Sequence, residues 1–200
     1  FRTKHKIYIV MDLMPNGTIG SYVRQNDGIN EWNAKGWFCP IARAIRYLHD
    51  SNVAHRDLKL DNILLDRYWN PVLTDFGFSR FVPVDPLSRK IDKSDTFCGT
   101  PSYNPPEIVN KKVYDPFKAD VWAMGVVLFG MLNDKFPFHF GNKEQMYKEM
   151  KTEGWVEQRY VKKQCKHVRH LIKKMLEDEE NDRYSMKDVL KHKWIREKGK

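Results

Sequence analysis

The sequence HRDLKLDN occupies positions 55–62, and DFG follows at positions 75–77. These stretches match, in order, the patterns H-R-D-L-x-x-x-N and D-F-G. A third stretch, PPE at 105–107, falls where A-P-E is expected, with proline in place of alanine. Any one of the three is a weak indication, because short motifs occur by chance. Their coincidence, in this order and at this spacing, is specific.

With these motifs the chain resembles a eukaryotic Ser/Thr protein kinase catalytic domain, and the resemblance covers essentially the whole chain. Four further segments fall at the positions where that family has its hinge, the end of its activation loop, its core helix and a late arginine. They are Asp12–Met14, Thr96–Pro101, Asp120–Trp122 and Asp182–Arg183. The style of several of these segments is most similar to the testis-specific serine/threonine kinases of the calmodulin-kinase-like group, which implies a role in spermatogenesis.

The fold class that follows is α+β, protein-kinase-like, with a mainly helical C-terminal lobe after a leading hinge strand. Lys6–Met11 is rich in β-branched and aromatic residues, which predicts that strand. We assign residues 1–17 to the last strand of the N-lobe and the hinge, and 18–200 to the kinase C-lobe. Thr18 and Asn30 are candidate helix caps. The nearly all-apolar segment 119–132 predicts a buried core helix.

The resemblance also implies a set of catalytic residues. Phosphoryl transfer depends on positioning and on charge stabilisation more than on covalent chemistry. Asp57 is expected to accept the proton of the substrate hydroxyl, and Lys59 to neutralise the γ-phosphate of ATP. Asn62 and Asp75 supply the hard oxygen ligands that Mg²⁺ prefers. Thr100 is expected to hydrogen-bond Asp57 and Lys59, which favours a Ser/Thr acceptor in a protein substrate.

The adenine of ATP is expected to contact the hinge. Met11 is the predicted gatekeeper, while Asp12 and Met14 offer backbone groups and Leu64 forms the pocket floor. Thr18 stands where many relatives carry an acidic residue near the ribose. Other relatives use an acidic residue to bind an arginine near the acceptor. Asp61 is a candidate for that role. Some of those relatives have a second acidic residue where this chain has Gly130, so a preference for arginine in the substrate stays open.

A regulatory pair and several structural residues follow from the same resemblance. Thr96 is the candidate activation-loop phosphosite, modified by an upstream activating kinase, and Arg56 is the cation that would bind its phosphate. His55 is expected to pack near Phe76 instead of acting as a base. Glu107 and Arg183 are predicted to form a buried ion pair, and Asp120 to accept hydrogen bonds from the backbone of the catalytic loop.

Composition and charge argue against a nucleic-acid partner and a membrane partner. The chain has 35 Lys and Arg against 26 Asp and Glu, a net charge of +9, but the positive residues form no single block. No RNA-binding motif, zinc-finger spacing or basic zipper accompanies them, so we expect no nucleic-acid partner. No apolar run approaches the roughly 20 residues of a membrane helix, so we expect no membrane partner. Three widely spaced cysteines fit reduced thiols in the cytoplasm.

Two interpretations of the chain as a whole stay open. A kinase also needs a glycine-rich loop, a strand lysine and a glutamate that pairs with that lysine, all before the hinge. No glycine precedes Gly17 in this sequence. Either the 200 residues are a fragment of a longer active kinase, or they form a truncated, inactive interaction module. In both cases we expect the 200-residue chain alone to lack activity.

Overall fold

A computed structural model describes residues 2–6, 8–85, 87–88, 90–160 and 162–197. Helices are the main secondary structure of the described residues. The helices are α1 (Ile19–Gln25), α2 (Glu31–Asp50), α3 (Pro106–Val109), α4 (Pro116–Asn133), α5 (Lys143–Lys151), α6 (Trp155–Gln158), α7 (Lys166–Met175), α8 (Met186–Lys191) and α9 (Lys193–Arg196). Short 3-10 helices cover Leu60–Asn62 and Pro101–Tyr103. The strands are β1 (Val53–Ala54), β2 (Ile63–Leu65), β3 (Pro71–Leu73) and β4 (Arg80–Phe81).

Helix α4 is the centre of the core, as its apolar sequence predicts. Asp115 caps its first turn by accepting from the backbone N–H groups of Phe117 and Lys118. The helix contacts α2 on one side and α7 on the other. Trp122 is fully buried and stacks on Phe138 at a ring distance of 5.5 Å. Because this helix is buried nearly all round, its sequence shows no polar face.

The first two helices begin where the sequence places their caps. The side chain of Thr18 accepts from Ser21 N, and that of Asn30 from Asn33 N. Pro40 lies inside α2 without ending the helix. Proline has no N–H, so the carbonyl of Gly36, four residues earlier, lacks its helical donor. Pro40 and Gly36 both lie on the exposed face of the helix. Water can solvate that carbonyl, which explains why the proline is tolerated here.

Two small antiparallel sheets hold the loops that carry the motifs. Strand β1 pairs with β4 through Val53–Phe81 and Ala54–Arg80. Strand β2 pairs with β3 in a hairpin, with Leu64 opposite Val72. The first sheet lies before the HRDLKLDN segment and after DFG, and the second lies between them. The two motifs are therefore anchored side by side.

The mainly helical, kinase-like class is confirmed, but the predicted leading strand is wrong in the residues that the structure describes. Residues 8–11 form no strand, and Ile7 lies outside the described residues. Ile9, Val10 and Met11 are 67–79% exposed. A β-strand needs a neighbour to receive its backbone hydrogen bonds, and no described strand lies beside this segment. The segment therefore does not form a strand, although its composition favours one.

A buried ion pair joins Glu107 and Arg183, as expected. Arg183 Nη1 and Nη2 donate to Glu107 Oε1 and Oε2 at 2.7 and 3.0 Å, a bidentate geometry. The Arg183 side chain is fully buried and also lies over the Trp122 ring at 5.0 Å. The pair ties α3 to the loop before α8.

Candidate active site

The carboxylate of Asp120 fixes the backbone at the start of the HRDLKLDN segment. It is buried in α4 and accepts from His55 N at 2.9 Å and from Arg56 N at 2.8 Å. His49 Nε2 lies 2.9 Å from the same carboxylate. Arg56 has a φ of +67°, a conformation that costs a non-glycine residue energy. Asp120 thus stabilises a strained turn, and its partner His49 is a contact that the sequence did not indicate.

His55 connects this segment to the DFG segment. It is fully buried, and its Nε2 lies 3.1 Å from the carbonyl oxygen of Thr74. Its ring is 5.0 Å from that of Phe76. The packing expected for His55 is therefore present, and the imidazole lies beneath the loops.

Asp57 is the centre of a hydrogen-bonded cluster. Lys59 Nζ donates to its Oδ2 at 2.8 Å, and Thr100 Oγ1 donates to its Oδ1 at 2.7 Å. Lys59 Nζ also donates to Thr100 Oγ1 at 3.0 Å, and Asn62 Nδ2 to the Asp57 carbonyl at 2.9 Å. The two hydrogen bonds expected of Thr100 are both formed. Four of the predicted catalytic residues are thus brought together from two separate segments of the chain.

The surroundings of Asp57 keep its carboxylate charged. Burial would raise its pKa, but hydrogen bonds from Lys59 and Thr100 and the charge of Lys59 outweigh burial, and the pKa is lowered. The folded state is therefore stabilised by this carboxylate above its ordinary pKa. That stabilisation is lost only as pH falls through the lowered value. Asp57 is ionised at neutral pH and able to accept a hydrogen bond from a hydroxyl.

Asn62 and Asp75, the predicted magnesium ligands, are held by neighbouring loops. Thr74 N donates to the carbonyl of Asn62 at 3.0 Å. Asp75 follows Thr74 in the chain, so this hydrogen bond holds the Asp75 backbone near Asn62. The Asn62 amide nitrogen donates to Asp57, which leaves its side-chain oxygen as the atom that can bind a cation. Asp75 is exposed and has a φ of +62°. Across the described ranges, no three His, Cys, Asp or Glu side chains form a metal cluster.

The predicted adenine contacts are only partly assembled. Met14 and Leu64 are half-buried and lie near each other, because Thr18 forms an isolated bridge with Leu64 and Met14 O accepts from Gly17 N at 3.2 Å. Met11 is 67% exposed and Asp12 is also exposed. Both side chains are open to solvent, so these roles stay predictions.

Thr96 and Arg56 both interact with Tyr114. Thr96 is exposed, and its carbonyl accepts from the Tyr114 hydroxyl at 3.0 Å. Burial raises the pKa of that hydroxyl, while the nearby charge of Arg56 opposes the shift. Arg56 Nε donates to the carbonyl of Phe78 at 2.7 Å. The Arg56 guanidinium also interacts with the Tyr114 hydroxyl, and it therefore lies near the group that bonds to the Thr96 carbonyl.

Gly99 lets the segment before Thr100 approach the catalytic loop. Its φ is +94°, and a Cβ added there would lie 2.7 Å from the Arg56 carbonyl oxygen. We expect Gly99→Ala to lower the free energy of unfolding of the full-length protein by about 1–3 kcal/mol, measured by urea titration. Gly36→Ala is the control, because its Cβ would meet no atom within 4 Å on an exposed helix face. That control should be neutral or stabilising. Equal effects of the two changes would contradict this explanation.

Comparisons with known proteins agree with the geometry. The family model described as protein kinase domain matches residues 1–195. Human testis-specific serine/threonine-protein kinase 1 is 34% identical over all of this chain and 54% of its own length. CBL-interacting serine/threonine-protein kinase 7 of Arabidopsis thaliana is 36% identical over 97% of this chain and 44% of its own length. Aurora kinase of Eremothecium gossypii is 34% identical over all of this chain and 52% of its own length.

The chain therefore belongs to the protein kinase domain family. Its similar proteins include testis-specific serine/threonine kinases, as the sequence resemblance implied, and also CBL-interacting Ser/Thr kinases. The chain spans about half the length of the curated relatives it matches. No described helix is both long and apolar enough to cross a membrane.

Proposed function

We propose that the protein transfers the γ-phosphate of ATP to serine and threonine hydroxyls of protein substrates. The observation that carries this proposal is the cluster of Asp57, Lys59, Thr100 and Asn62, which lies beside the loop of Asp75. Such a cluster combines an acceptor for a hydroxyl proton with a cation and with oxygen ligands. Phosphoryl transfer needs this combination, because its transition state is stabilised by position and charge.

The residues of the cluster have distinct roles in the proposal. Asp57 accepts a hydrogen bond from the acceptor hydroxyl and orients its oxygen for attack. Lys59 lies between Asp57 and Thr100 and places a positive charge where the transferred phosphoryl group gains negative charge. Thr100 fixes the carboxylate of Asp57 in one orientation. The side chains of serine and threonine are short, so their hydroxyls can be placed beside the Asp57 carboxylate while the peptide backbone stays outside the loop.

The donor set fits Mg²⁺ together with ATP. Asn62 and Asp75 offer one amide oxygen and one carboxylate, and magnesium in such sites takes one or two carboxylates with phosphate oxygens and water. When bound, the ion would neutralise charge on the phosphates. Met14 and Leu64 would contact the adenine, with Met11 and Asp12 completing the hinge. We also propose an intracellular location, since ATP is available there and Cys39, Cys98 and Cys165 are free thiols.

The test uses the full-length protein with Mg-ATP and three matched peptide sets that contain serine, threonine or tyrosine as the acceptor. We expect phosphate incorporation into the serine and threonine sets and none into the tyrosine set. No incorporation into any set would remove the kinase proposal. Incorporation into tyrosine alone would contradict the Ser/Thr assignment.

A second candidate, an inactive interaction module, is favoured by one observation. Ile9, Val10, Met11 and Leu13 are 67–84% exposed, an apolar segment that another protein surface could cover. The same exposure is expected where the N-terminal lobe of a kinase packs. The peptide assay distinguishes the two functions, because an interaction module would phosphorylate nothing.

Thr96 is proposed as a regulatory phosphosite, modified by an upstream kinase. A phosphate there would have the Arg56 guanidinium nearby as a donor, because Tyr114 interacts with both Arg56 and the Thr96 carbonyl. We expect Thr96→Ala to lower the activity of the full-length protein about tenfold, since charge-assisted hydrogen bonds to the phosphate would be lost. Thr152→Ala is the control, because Thr152 caps the distant helix α5. Unchanged rates for Thr96→Ala would exclude Thr96 from regulation.

A further inference from the structure

An ion pair lies at the edge of the candidate active site and was not indicated by the sequence. Arg24 Nη2 donates to Asp61 Oδ1 at 3.0 Å. The side chains are 59% and 49% exposed, so both face solvent as well as each other. Arg24 is in the last turn of α1, and Asp61 belongs to the 3-10 helix at Leu60–Asn62. A cation from another element thus occupies the only carboxylate of that short helix.

Gly20 provides the space for this pair. A Cβ at Gly20 would lie 2.7 Å from Asp61 Oδ1 and 3.2 Å from Arg24 Nη1. The φ of Gly20 is not in the left-handed region, so backbone conformation does not require glycine. The absence of a side chain instead lets the carboxylate and the guanidinium rest on the bare backbone of α1.

The pair is adjacent to the acceptor position. Asp61 is next to Asn62, whose amide donates to the carbonyl and carboxylate of Asp57. On the other side, the Tyr103 hydroxyl accepts from Leu60 N at 3.3 Å. Burial raises the pKa of Tyr103 to about 12, and the charges of Asp61 and Arg24 act on it in opposite directions. Asp61 thus lies in the same short loop as Asp57, within reach of a peptide whose hydroxyl is placed at Asp57.

We propose that Arg24 is a specificity-determining residue that neutralises Asp61 and removes selection for arginine in the substrate. The inference rests on the proposed kinase function and names its substrate preference. An unpaired Asp61 would attract a substrate guanidinium, but here the protein's own guanidinium already contacts Oδ1 of that carboxylate. An incoming arginine has to compete with Arg24 for Asp61, which leaves little net gain at an exposed site.

Thr18 and Gly130, where relatives carry acidic residues, add no second carboxylate here. Thr18, at the start of α1, uses its hydroxyl to cap the helix. Gly130 lies in buried α4, where a Cβ would be 3.1 Å from Leu60 Cδ1, so Leu60 fills the space that a side chain would need. Of Thr18, Asp61 and Gly130, only Asp61 carries a charge, and it is paired with Arg24.

The experiment measures phosphorylation by the full-length protein of serine peptides that carry arginine or alanine at each of four positions on either side. We expect the wild-type protein to prefer arginine by about threefold or less at every position, the range of an exposed ion pair. Arg24→Ala should raise the preference to about tenfold at one or two positions, because Asp61 then forms a charge-assisted hydrogen bond with the peptide. Adding Asp61→Asn to that variant should return the preference to the wild-type range.

Arg46→Ala is the matched control. Arg46 also forms an exposed ion pair, with Asp50 at 2.6 Å on α2, and its loss should leave the peptide profile unchanged. A wild-type preference for arginine of tenfold, or an Arg24→Ala profile identical to wild type, would overturn the proposal.

A second measurement requires no turnover. Fluorescence anisotropy gives the Kd of labelled peptides whose acceptor serine is replaced by alanine. The same tenfold change should appear in the affinity of Arg24→Ala for the arginine peptide. If nothing is phosphorylated, the kinase proposal fails, while the affinity data still decide whether Arg24 masks Asp61. Equal affinities of wild type and Arg24→Ala would overturn the inference.

Discussion

Replacing Asp57 by asparagine in the full-length protein should lower the rate of phosphoryl transfer by about 10²–10⁴-fold, the usual contribution of a positioned acid or base. The amide cannot accept the hydroxyl proton. It also cannot keep both of the hydrogen bonds that Lys59 and Thr100 donate to the carboxylate. The measurement is the initial rate of phosphate incorporation into a serine peptide under saturating Mg-ATP.

Nucleotide binding should change little in the same variant, because Asn62, Asp75 and the hinge remain. Asp50→Asn is the control, since Asp50 is an exposed carboxylate on α2 that pairs only with Arg46 among the described residues. That change should leave the rate as it is. Full activity of Asp57→Asn, or a loss of Mg-ATP affinity as large as the loss of rate, would contradict the role assigned to Asp57.

Breaking the buried ion pair should have the largest effect on stability. We expect Glu107→Gln to lower the free energy of unfolding of the full-length protein by about 3–5 kcal/mol, because it leaves the Arg183 guanidinium buried without a counter-charge. The Arg183 side chain is fully buried, and so water cannot replace the lost carboxylate. Urea titration at neutral pH gives this difference directly.

Two comparisons separate this explanation from a general loss of contacts. Arg46→Ala removes an exposed ion pair and should cost less than about 1 kcal/mol. The double change of Glu107→Met with Arg183→Met should cost less than the sum of the single changes, since no charge then stays buried alone. An additive double variant, or a Glu107→Gln cost within 1 kcal/mol, would be inconsistent with a charge-pair effect.

Much of the fold and of the site is encoded locally, which is why the sequence predicts it. The caps at Thr18 and Asn30 are made by side chains that bond to amides three residues away. The buried helix α4 follows from its own composition. The contacts of Asp57 with Lys59 and Asn62 lie within one short loop, so they depend on the local sequence of the motif.

Other features depend on partners that the sequence does not bring together. The β-forming segment 6–11 forms no strand at residues 8–11, because strand formation depends on a neighbour and not only on composition. Arg24 and Asp61 belong to different elements, and no periodicity links them. His49 contacts Asp120 from the end of α2, a pairing that needs the packing of two helices.

The most direct test of the central claim is an experimental structure of the full-length protein with Mg²⁺, a non-hydrolysable ATP analogue and a serine peptide. We predict that the metal ion is bound by the side-chain oxygens of Asn62 and Asp75. The acceptor hydroxyl should lie within hydrogen-bond reach of Asp57, about 2.6–3.2 Å. A nucleotide bound elsewhere, or a peptide hydroxyl remote from Asp57, would contradict the assignment of this cluster as a phosphoryl-transfer site.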